Sequence, residues 1–141
     1  MPKSRTAPFR PRTKVSLFTD HFSIGALGDS FYEYLLKAWI QSAGEDTVAR
    51  EMFDEALTAL EKNLLKKSKR GLSYFADMKY ERVEPKMDHL ACFSGGLLAL
   101  GAQTSQSEGK DNYLNIGAEL TNTCHESYIR TKTKLGPECF R

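Results

Sequence analysis

The sequence lacks several features that would assign it to a common class. No apolar run approaches the ~20 residues that a bilayer-spanning helix requires. Positive and negative residues nearly balance, with a net charge of +2, so the charge does not predict a nucleic-acid partner. No repeat with a period of about 34 to 47 residues is present, which disfavours a tandem-repeat scaffold. The 141 residues, 40% of them hydrophobic, suit one small domain with a moderate core.

Cysteine and glycosylation acceptors are also scarce. Three cysteines in 141 residues are too few for a disulfide scaffold, and composition alone favours reduced, buried thiols. There is no Asn-x-Ser/Thr acceptor, since Asn122-Thr123-Cys124 is only the rare cysteine variant. Glycosylation therefore does not predict the compartment.

The first twenty residues differ in composition from the rest. Met1 to Lys14 contains five cations, three prolines and no acid, and it lacks the apolar segment of a signal peptide. We interpret residues 1–20 as a basic, disordered tail and 21–141 as the folded domain. A basic arm that binds anionic lipid or nucleic acid is the alternative interpretation of the tail.

A glycine-rich turn, Gly25 to Gly28, leads directly into the first helical run, and Asp29 is the leading candidate for a functional residue. Glycine permits the tight turn. Asp29 or Ser30 can cap the free amides of the helix, whose dipole holds a carboxylate ionised. From the spacing alone, simple capping is the favoured interpretation of Asp29. The predicted core face of the helix comprises Phe31, Leu35 and Ala38, widened by Tyr34 and Trp39.

The remaining pattern predicts an all-α fold of two antiparallel helix pairs, with a short β-hairpin between helices two and three. Lys66–Arg70 is interpreted as a solvated helix terminus, with a phosphate-binding patch as the alternative. Gly95 and Gly96 predict close approach of a neighbouring segment. The predicted bounds are Asp29 to Gln41 for helix one, Asp46 or Thr47 to Lys66–Gly71 for helix two, Leu72 to Val83 for the hairpin, Met87 to Gly101 for helix three and Asp111 to Thr131 for helix four.

The predicted helix directions bring polar side chains to one edge of the helix layer. We call it the common edge, and it comprises Asp29, Asp88, His89, Arg130 and Glu138. Carboxylates together at one edge suit glycoside hydrolysis, in which one acid protonates the leaving oxygen and another carboxylate activates water. The pattern alone is weak support, because most small proteins have acids near helix ends.

Longer motifs narrow the choice. They are Leu27 to Trp39, Lys86 to Phe93, Thr123 to Tyr128 and Leu135 to Glu138. Together these motifs resemble the class I α-1,2-mannosidases, glycoside hydrolase family 47. That family trims N-linked oligosaccharides in the secretory pathway. The resemblance covers about His21 to Arg141, a part of the family's catalytic domain, and it implies that the two helix pairs belong to an (αα)7 barrel.

The resemblance implies specific roles. Asp29 and Glu138 match catalytic residues, and a disulfide is implied between Cys92 and Cys124, which leaves Cys139 free. Such a bridge would close a loop of about 30 residues and stabilise the fold by roughly 3 to 4 kcal/mol. For His89, a structural role is at least as consistent with the sequence as a role as a sugar ligand. The residues assigned to substrate binding are Leu27, Glu33, Asp88, His89 and Arg130.

The resemblance further implies inverting hydrolysis of terminal α-1,2-linked mannose from high-mannose N-glycans. Leu27 stands where reticulum-type members carry arginine, which favours the Golgi-type subgroup. The expected location is the Golgi or endoplasmic reticulum lumen, as a type II membrane protein whose anchor is missing from this chain. The family's Ca²⁺ is bound by a C-terminal residue without a counterpart here, so no metal ligand is assigned. With the catalytic set incomplete, we expect this chain alone to be inactive.

Two alternatives come from other functional classes. A lectin-like relative would recognise mannose on misfolded glycoproteins without trimming it, and the run Gly28 to Tyr34 disfavours this because it is closer to the trimming subgroup. An unrelated helical interaction module is the second alternative.

Overall fold

The computed structural model describes residues 21–26, 28–104 and 109–141, so the predicted tail at 1–20 and Leu27 lie outside it. Among the described residues, no helix is both long and apolar enough to cross a membrane. The helices are α1 Asp29–Gln41, α2 Thr47–Leu64, α3 Ser94–Gln103 and α4 Lys110–Ile129, with a 3₁₀ helix at His89–Phe93. The strands are β1 His21–Phe22, β2 Leu65–Lys67, β3 Ser73–Phe75, β4 Asp77–Lys79, β5 Arg82–Glu84, β6 Met87–Asp88 and β7 Cys139–Phe140.

The first helix pair, α1 and α2, is antiparallel, and α1 has the predicted bounds. The guanidinium of Arg50, early in α2, lies 5.1 Å from the ring centroid of Trp39, late in α1. Further along, Leu36 of α1 and Phe53 of α2 meet beside Gly101 of α3. The buried face of α1 differs from the predicted one. This three-helix junction fully buries Leu36, which was not predicted, whereas Tyr34, which was, is 68% exposed.

Helix α2 begins as predicted and ends earlier than predicted. A carboxylate oxygen of Asp46 accepts a hydrogen bond from the backbone N–H of Ala49 at 3.0 Å, which caps the helix. The cations at Lys66–Arg70 do not form its last turn, because β2 leaves the helix and pairs antiparallel with β3. The buried stripe is the predicted one, Phe53, Ala56, Leu57, Leu60 and Leu64.

The predicted hairpin is present, within more strand structure than the pattern indicated. Strands β4 and β5 pair antiparallel, and β1 adds to β4 to give a three-stranded sheet in the order β1-β4-β5. The two turn residues, Tyr80 and Glu81, both have positive φ, 47° and 62°. Positive φ at both positions is typical of a type I′ turn, a two-residue hairpin loop whose twist matches that of the strands.

The predicted third helix, Met87 to Gly101, is three elements. Met87 and Asp88 form β6, which pairs with β7 near the end of the chain. Asp88 is extended, and its Oδ1 accepts a hydrogen bond from Leu90 N at 2.8 Å, which starts the 3₁₀ helix. The α-helical part begins only at Ser94, because pairing with a remote strand holds the first residues extended.

The second helix pair, α3 and α4, packs closely, and the predicted disulfide joins α4 to the 3₁₀ helix that leads into α3. Cys92 and Cys124 form the bridge, with their Cα atoms 5.9 Å apart, and Cys139 is a free, exposed cysteine. A Cβ on Gly95 would overlap Oγ1 of Thr121 and lie 3.1 Å from the carbonyl oxygen of Gly117, which confirms the predicted close approach there. At Gly96 nothing lies within 4 Å, so that part of the prediction was wrong.

Strand β3 is joined to α4 by side chains. The hydroxyl of Thr123 donates to the carbonyl oxygen of Ser73 at 2.6 Å, and the hydroxyl of Ser73 donates to the carboxylate of Glu119. That hydrogen bond, helped by the nearby Lys67 ammonium, lowers the pKa of Glu119 below its ordinary value. The strand is thereby fixed against the helix that carries half of the disulfide.

Candidate active site

The pairing of β6 with β7 joins three of the residues assigned to the site. Asp88 lies opposite Cys139 in the register, and the backbone N–H of His89 donates to the carbonyl oxygen of Glu138 at 2.8 Å. All three assigned residues, Asp88, His89 and Glu138, are at least partly exposed. Two segments separated by about fifty residues therefore meet at this point of the common edge.

The glycine turn that precedes α1 lies against the same strand. A Cβ placed on Gly25 would be 2.7 Å from Cβ of Asp88, so only a glycine allows this approach. The carbonyl oxygen of Gly25 accepts hydrogen bonds from the backbone N–H groups of Gly28, at 3.1 Å, and Asp29, at 2.9 Å. The carboxylate of Asp29 accepts from Ser30 N at 2.8 Å, in the first turn of the helix. The turn thus connects Asp29 to the strand of Asp88.

An aromatic residue that the sequence analysis did not assign, Tyr128, completes this edge. Its hydroxyl is hydrogen-bonded to Nε2 of His89, and the two rings meet edge to face with centroids 5.5 Å apart. The loop leading to Glu138 crosses the same ring, because a Cβ on Gly136 would lie 2.9 Å from Cε1 of Tyr128. The spacing of His125, Tyr128 and their neighbours gave no signal of this contact, which exists only in the folded chain.

Two other assigned residues lie in ion pairs on their own helices. Glu33 binds the Lys37 ammonium at 2.6 Å, one turn further along α1, and Arg130 binds Glu126 at 2.6 Å at the end of α4. Leu27 is not described. The assignment of Leu27, Glu33 and Arg130 to substrate binding stays a prediction.

A groove of about 250 Å³ between α1 and α3 is separate from this edge. Its lining includes Glu33, Leu36 and Phe93, and none of Asp29, Asp88, His89 or Glu138. The groove is mainly apolar, and its charged lining residues are Glu33 and Lys37, which are paired with each other. The chemistry-bearing residues therefore belong to the strand pairing and the glycine turn.

The described residues do not fit a metal ion. In the ranges 21–26, 28–104 and 109–141, no group of three or more His, Cys, Asp or Glu side chains is arranged to hold one. Hard cations such as Ca²⁺ require six to eight oxygen ligands. No step of a mechanism is therefore assigned to calcium within these residues.

Comparison with known proteins identifies the family. The model of glycosyl hydrolase family 47 matches residues 5–141. The chain belongs to this family. The match begins earlier than His21, where the motifs indicated the start of the resemblance. Family 47 membership agrees with the order of the motifs along the chain.

Individual relatives in family 47 are similar over most of this chain. It is 61% identical over 121 residues to the mannosyl-oligosaccharide alpha-1,2-mannosidase IA of Drosophila melanogaster, covering 86% of this chain and 18% of the relative. It is 55% identical over 121 residues to the human mannosyl-oligosaccharide 1,2-alpha-mannosidase IB, covering 86% and 19%. The chain thus spans about a fifth of the length of these relatives.

A solved structure supports the fold of this family 47 segment. The alpha-1,2-mannosidase from Trichoderma reesei matches with a TM-score of 0.77 at 24% sequence identity, covering 86% of this chain and 25% of that chain. The two helix pairs therefore have the fold of part of an (αα)7 barrel, as expected. At this identity the match concerns the fold alone.

Proposed function

We propose that this chain is a segment of an α-1,2-mannosidase catalytic domain, which hydrolyses terminal α-1,2-linked mannose from high-mannose N-glycans with inversion. The observation that carries the proposal is the high identity to enzymes named for this activity, together with the meeting of the glycine turn, β6 and β7. The substrate is proposed from the names of those relatives.

In the proposed mechanism, Asp29 and Glu138 are the carboxylates of the reaction. Inverting glycosidases use one carboxyl to protonate the leaving oxygen and another to activate water on the opposite face of the sugar. Both side chains belong to segments that contact Asp88 or His89, and both are accessible to a substrate. Asp88 and His89 are proposed to position the sugar or the water, with the His89 ring oriented by Tyr128.

The decisive experiment uses a chimera in which residues 21–141 replace the matching segment of the Drosophila relative. We expect the chimera to release mannose from α-1,2-linked mannobiose, with NMR detection of the inverted anomer. Asp29→Asn and Glu138→Gln should each lower kcat by about 10² to 10⁴, the usual contribution of general acid–base catalysis. The matched control is Asp111→Asn, because Asp111 also lies in the first turn of a helix.

The outcomes separate clearly. An inactive chimera, beside an active parent enzyme, would contradict the proposed function of this segment. An active chimera whose Asp29→Asn and Glu138→Gln variants behave like Asp111→Asn would contradict the assignment of the two carboxylates.

We also propose a lumenal compartment of the Golgi or endoplasmic reticulum and a calcium-dependent full-length enzyme. The disulfide between Cys92 and Cys124 supports the first part, because structural disulfides persist in oxidising compartments. Alkylation of thiols in intact cells, before lysis, should modify only Cys139. Modification of all three cysteines would contradict the lumenal location. Loss of chimera activity on chelation, restored by added Ca²⁺, tests the second part.

A further inference from the structure

A buried carboxylate outside the proposed catalytic pair lies behind the common edge. The side chain of Asp77, the first residue of β4, is only 4% exposed, and three polar side chains converge on it. We call the group of Asp77, His21, Ser23 and Lys86 the Asp77 cluster. An ionised group is buried at high cost unless it is paired, and Ser23 and Lys86 supply that pairing here.

One arm of the Asp77 cluster reaches the glycine turn. The hydroxyl of Ser23 donates to Oδ1 of Asp77 at 2.6 Å and accepts a hydrogen bond from the backbone N–H of Gly25 at 3.0 Å. The carboxylate can only accept, so it fixes the direction of the hydroxyl proton and leaves a lone pair for Gly25. The carbonyl of Gly25 in turn accepts from Asp29 N. A continuous hydrogen-bonded path therefore joins Asp77 to the backbone of Asp29.

The second arm reaches β6. The ammonium of Lys86 lies 3.3 Å from Oδ2 of Asp77, and the backbone N–H of Asp77 donates to the carbonyl oxygen of Lys86 at 3.3 Å. The hydrogen bond with Asp77 raises the pKa of Lys86. Lys86 is two residues before Asp88, so the same carboxylate holds both strands that border the glycine turn.

The remaining member of the Asp77 cluster, His21, lies on β1. Its Nε2 lies 3.7 Å from Oδ2 of Asp77, beyond hydrogen-bonding distance, and it is buried without a partner among the described residues. Because β1 pairs with β4, His21 is held there by the sheet. The short distance from His21 to Ser23 then limits where the glycine turn can begin.

From this geometry we infer that Asp77 is a positioning residue: through Ser23 it sets the glycine turn that carries Asp29, and through Lys86 it sets the strand that carries Asp88. The inference rests on the proposed function only in that Asp29 acts in catalysis. Asp77 itself touches no substrate. Enzyme reactions are sensitive to this kind of support, since a displacement of 1 Å at a reacting group can cost about 10² in rate.

The first experiment compares loss of the Ser23 hydroxyl with loss of another serine hydroxyl that makes similar hydrogen bonds elsewhere on the fold. In the chimera, Ser23→Ala removes the link to Gly25, and we expect kcat to fall by about tenfold with KM within about twofold. Ser23→Thr keeps the hydroxyl and should restore kcat to within about threefold. The control is Ser42→Ala, at the opposite end of α1. The Ser42 hydroxyl likewise donates one hydrogen bond and accepts from a backbone N–H, but its acceptor is the backbone carbonyl of Trp39 and not a carboxylate.

A double variant tests whether Asp77 acts through Ser23. If both belong to one path, adding Ser23→Ala to Asp77→Ala should lower kcat by no more than about twofold further, whereas independent effects multiply. Alanine is used because an asparagine oxygen could still accept from the Ser23 hydroxyl. Equal loss of kcat in Ser23→Ala and Ser42→Ala, or no rescue by Ser23→Thr, would overturn the inference.

Hydrogen exchange on the 141-residue chain decides the inference even if the chimera is inactive. The amides of Gly28 and Asp29 donate to the carbonyl of Gly25, so Ser23→Ala should accelerate their exchange by about tenfold or more, with Ser23→Thr and Ser42→Ala close to the unsubstituted chain. Unchanged exchange at Asp29 in Ser23→Ala would refute the inference. An inactive chimera by itself would instead count against the proposed function.

Discussion

Two adjacent glycines in α3 should respond in opposite directions to the same substitution. Gly95 is buried against α4, and a Cβ there would overlap Oγ1 of Thr121 and lie 3.1 Å from the carbonyl oxygen of Gly117. Gly96 is exposed, and a Cβ there meets nothing within 4 Å. Because both residues share one helix, their intrinsic gain from Gly→Ala is nearly equal, about 1 kcal/mol.

The magnitude follows from the contacts that change. In Gly95→Ala the Thr121 hydroxyl must rotate away and lose its 2.8 Å hydrogen bond to the Gly117 carbonyl oxygen, which costs about 1 kcal/mol. The backbone contact with Gly117 must also widen, and overpacking of this kind costs about 1 to 3 kcal/mol. After the helix gain, Gly95→Ala should be destabilised by about 1 to 3 kcal/mol, whereas Gly96→Ala should be stabilised by up to about 1 kcal/mol.

Urea unfolding of both variants, followed by circular dichroism, measures the difference directly. We expect about 2 to 4 kcal/mol between them, and a gap in Tm of about 8 to 16 °C at roughly 4 °C per kcal/mol. Gly95→Ala at least as stable as Gly96→Ala would refute the packing of α3 on α4 described above.

Three further predictions concern the fold. Cys92→Ala with Cys124→Ala should lower the free energy of unfolding by about 3.7 kcal/mol, the chain-entropy value for a separation of 32 residues, and an unchanged urea midpoint would contradict it. Replacing Tyr80–Glu81 with Asn-Gly should raise stability by about 1 to 2 kcal/mol in urea unfolding, because positive φ costs other residues more; a lower stability would count against the turn. Ser73→Ala should return the pKa of Glu119 towards 4.5. The variant should therefore be less stable than the unsubstituted chain at pH 6, and this deficit should shrink as the pH falls below 4.5, where Glu119 of the unsubstituted chain also loses its charge. A deficit independent of pH would exclude this coupling.

The elements that the sequence predicted well are those whose signals are local. The start of α2 was predicted because Asp46 is a capping residue at the head of an apolar stripe. The C-terminal end of α2 and the start of α3 were not, because β2 and β6 depend on partners elsewhere in the chain. Met87 pairs with Phe140, more than fifty residues away, and no periodicity within a helix-length window contains that information.

The candidate site divides in the same way. The helix directions predicted Asp88, His89 and Glu138 at one edge, but it is the β6–β7 pairing, which the sequence did not reveal, that brings them together. The Asp77 cluster was not predicted, because its members come together only when β1 pairs with β4. A lone aspartate in a short hairpin gives no sign in the sequence that it is buried.

The two halves of the proposed site are held in place by different parts of the fold. The disulfide links α4 to the 3₁₀ helix that begins at His89, and the β6–β7 pairing joins His89 to Glu138 directly, so these two residues should move together. Asp29 belongs to α1, whose position depends on the packing of Leu36 near Gly101 and on the Asp77 cluster. Loss of the disulfide should therefore disturb the His89–Glu138 half, whereas loss of the Ser23 hydroxyl should displace Asp29 relative to it. The proposed inverting mechanism needs a gap of roughly 6.5 to 9.5 Å between its two carboxyls, so loss of the Ser23 hydroxyl is expected to change that gap by moving Asp29.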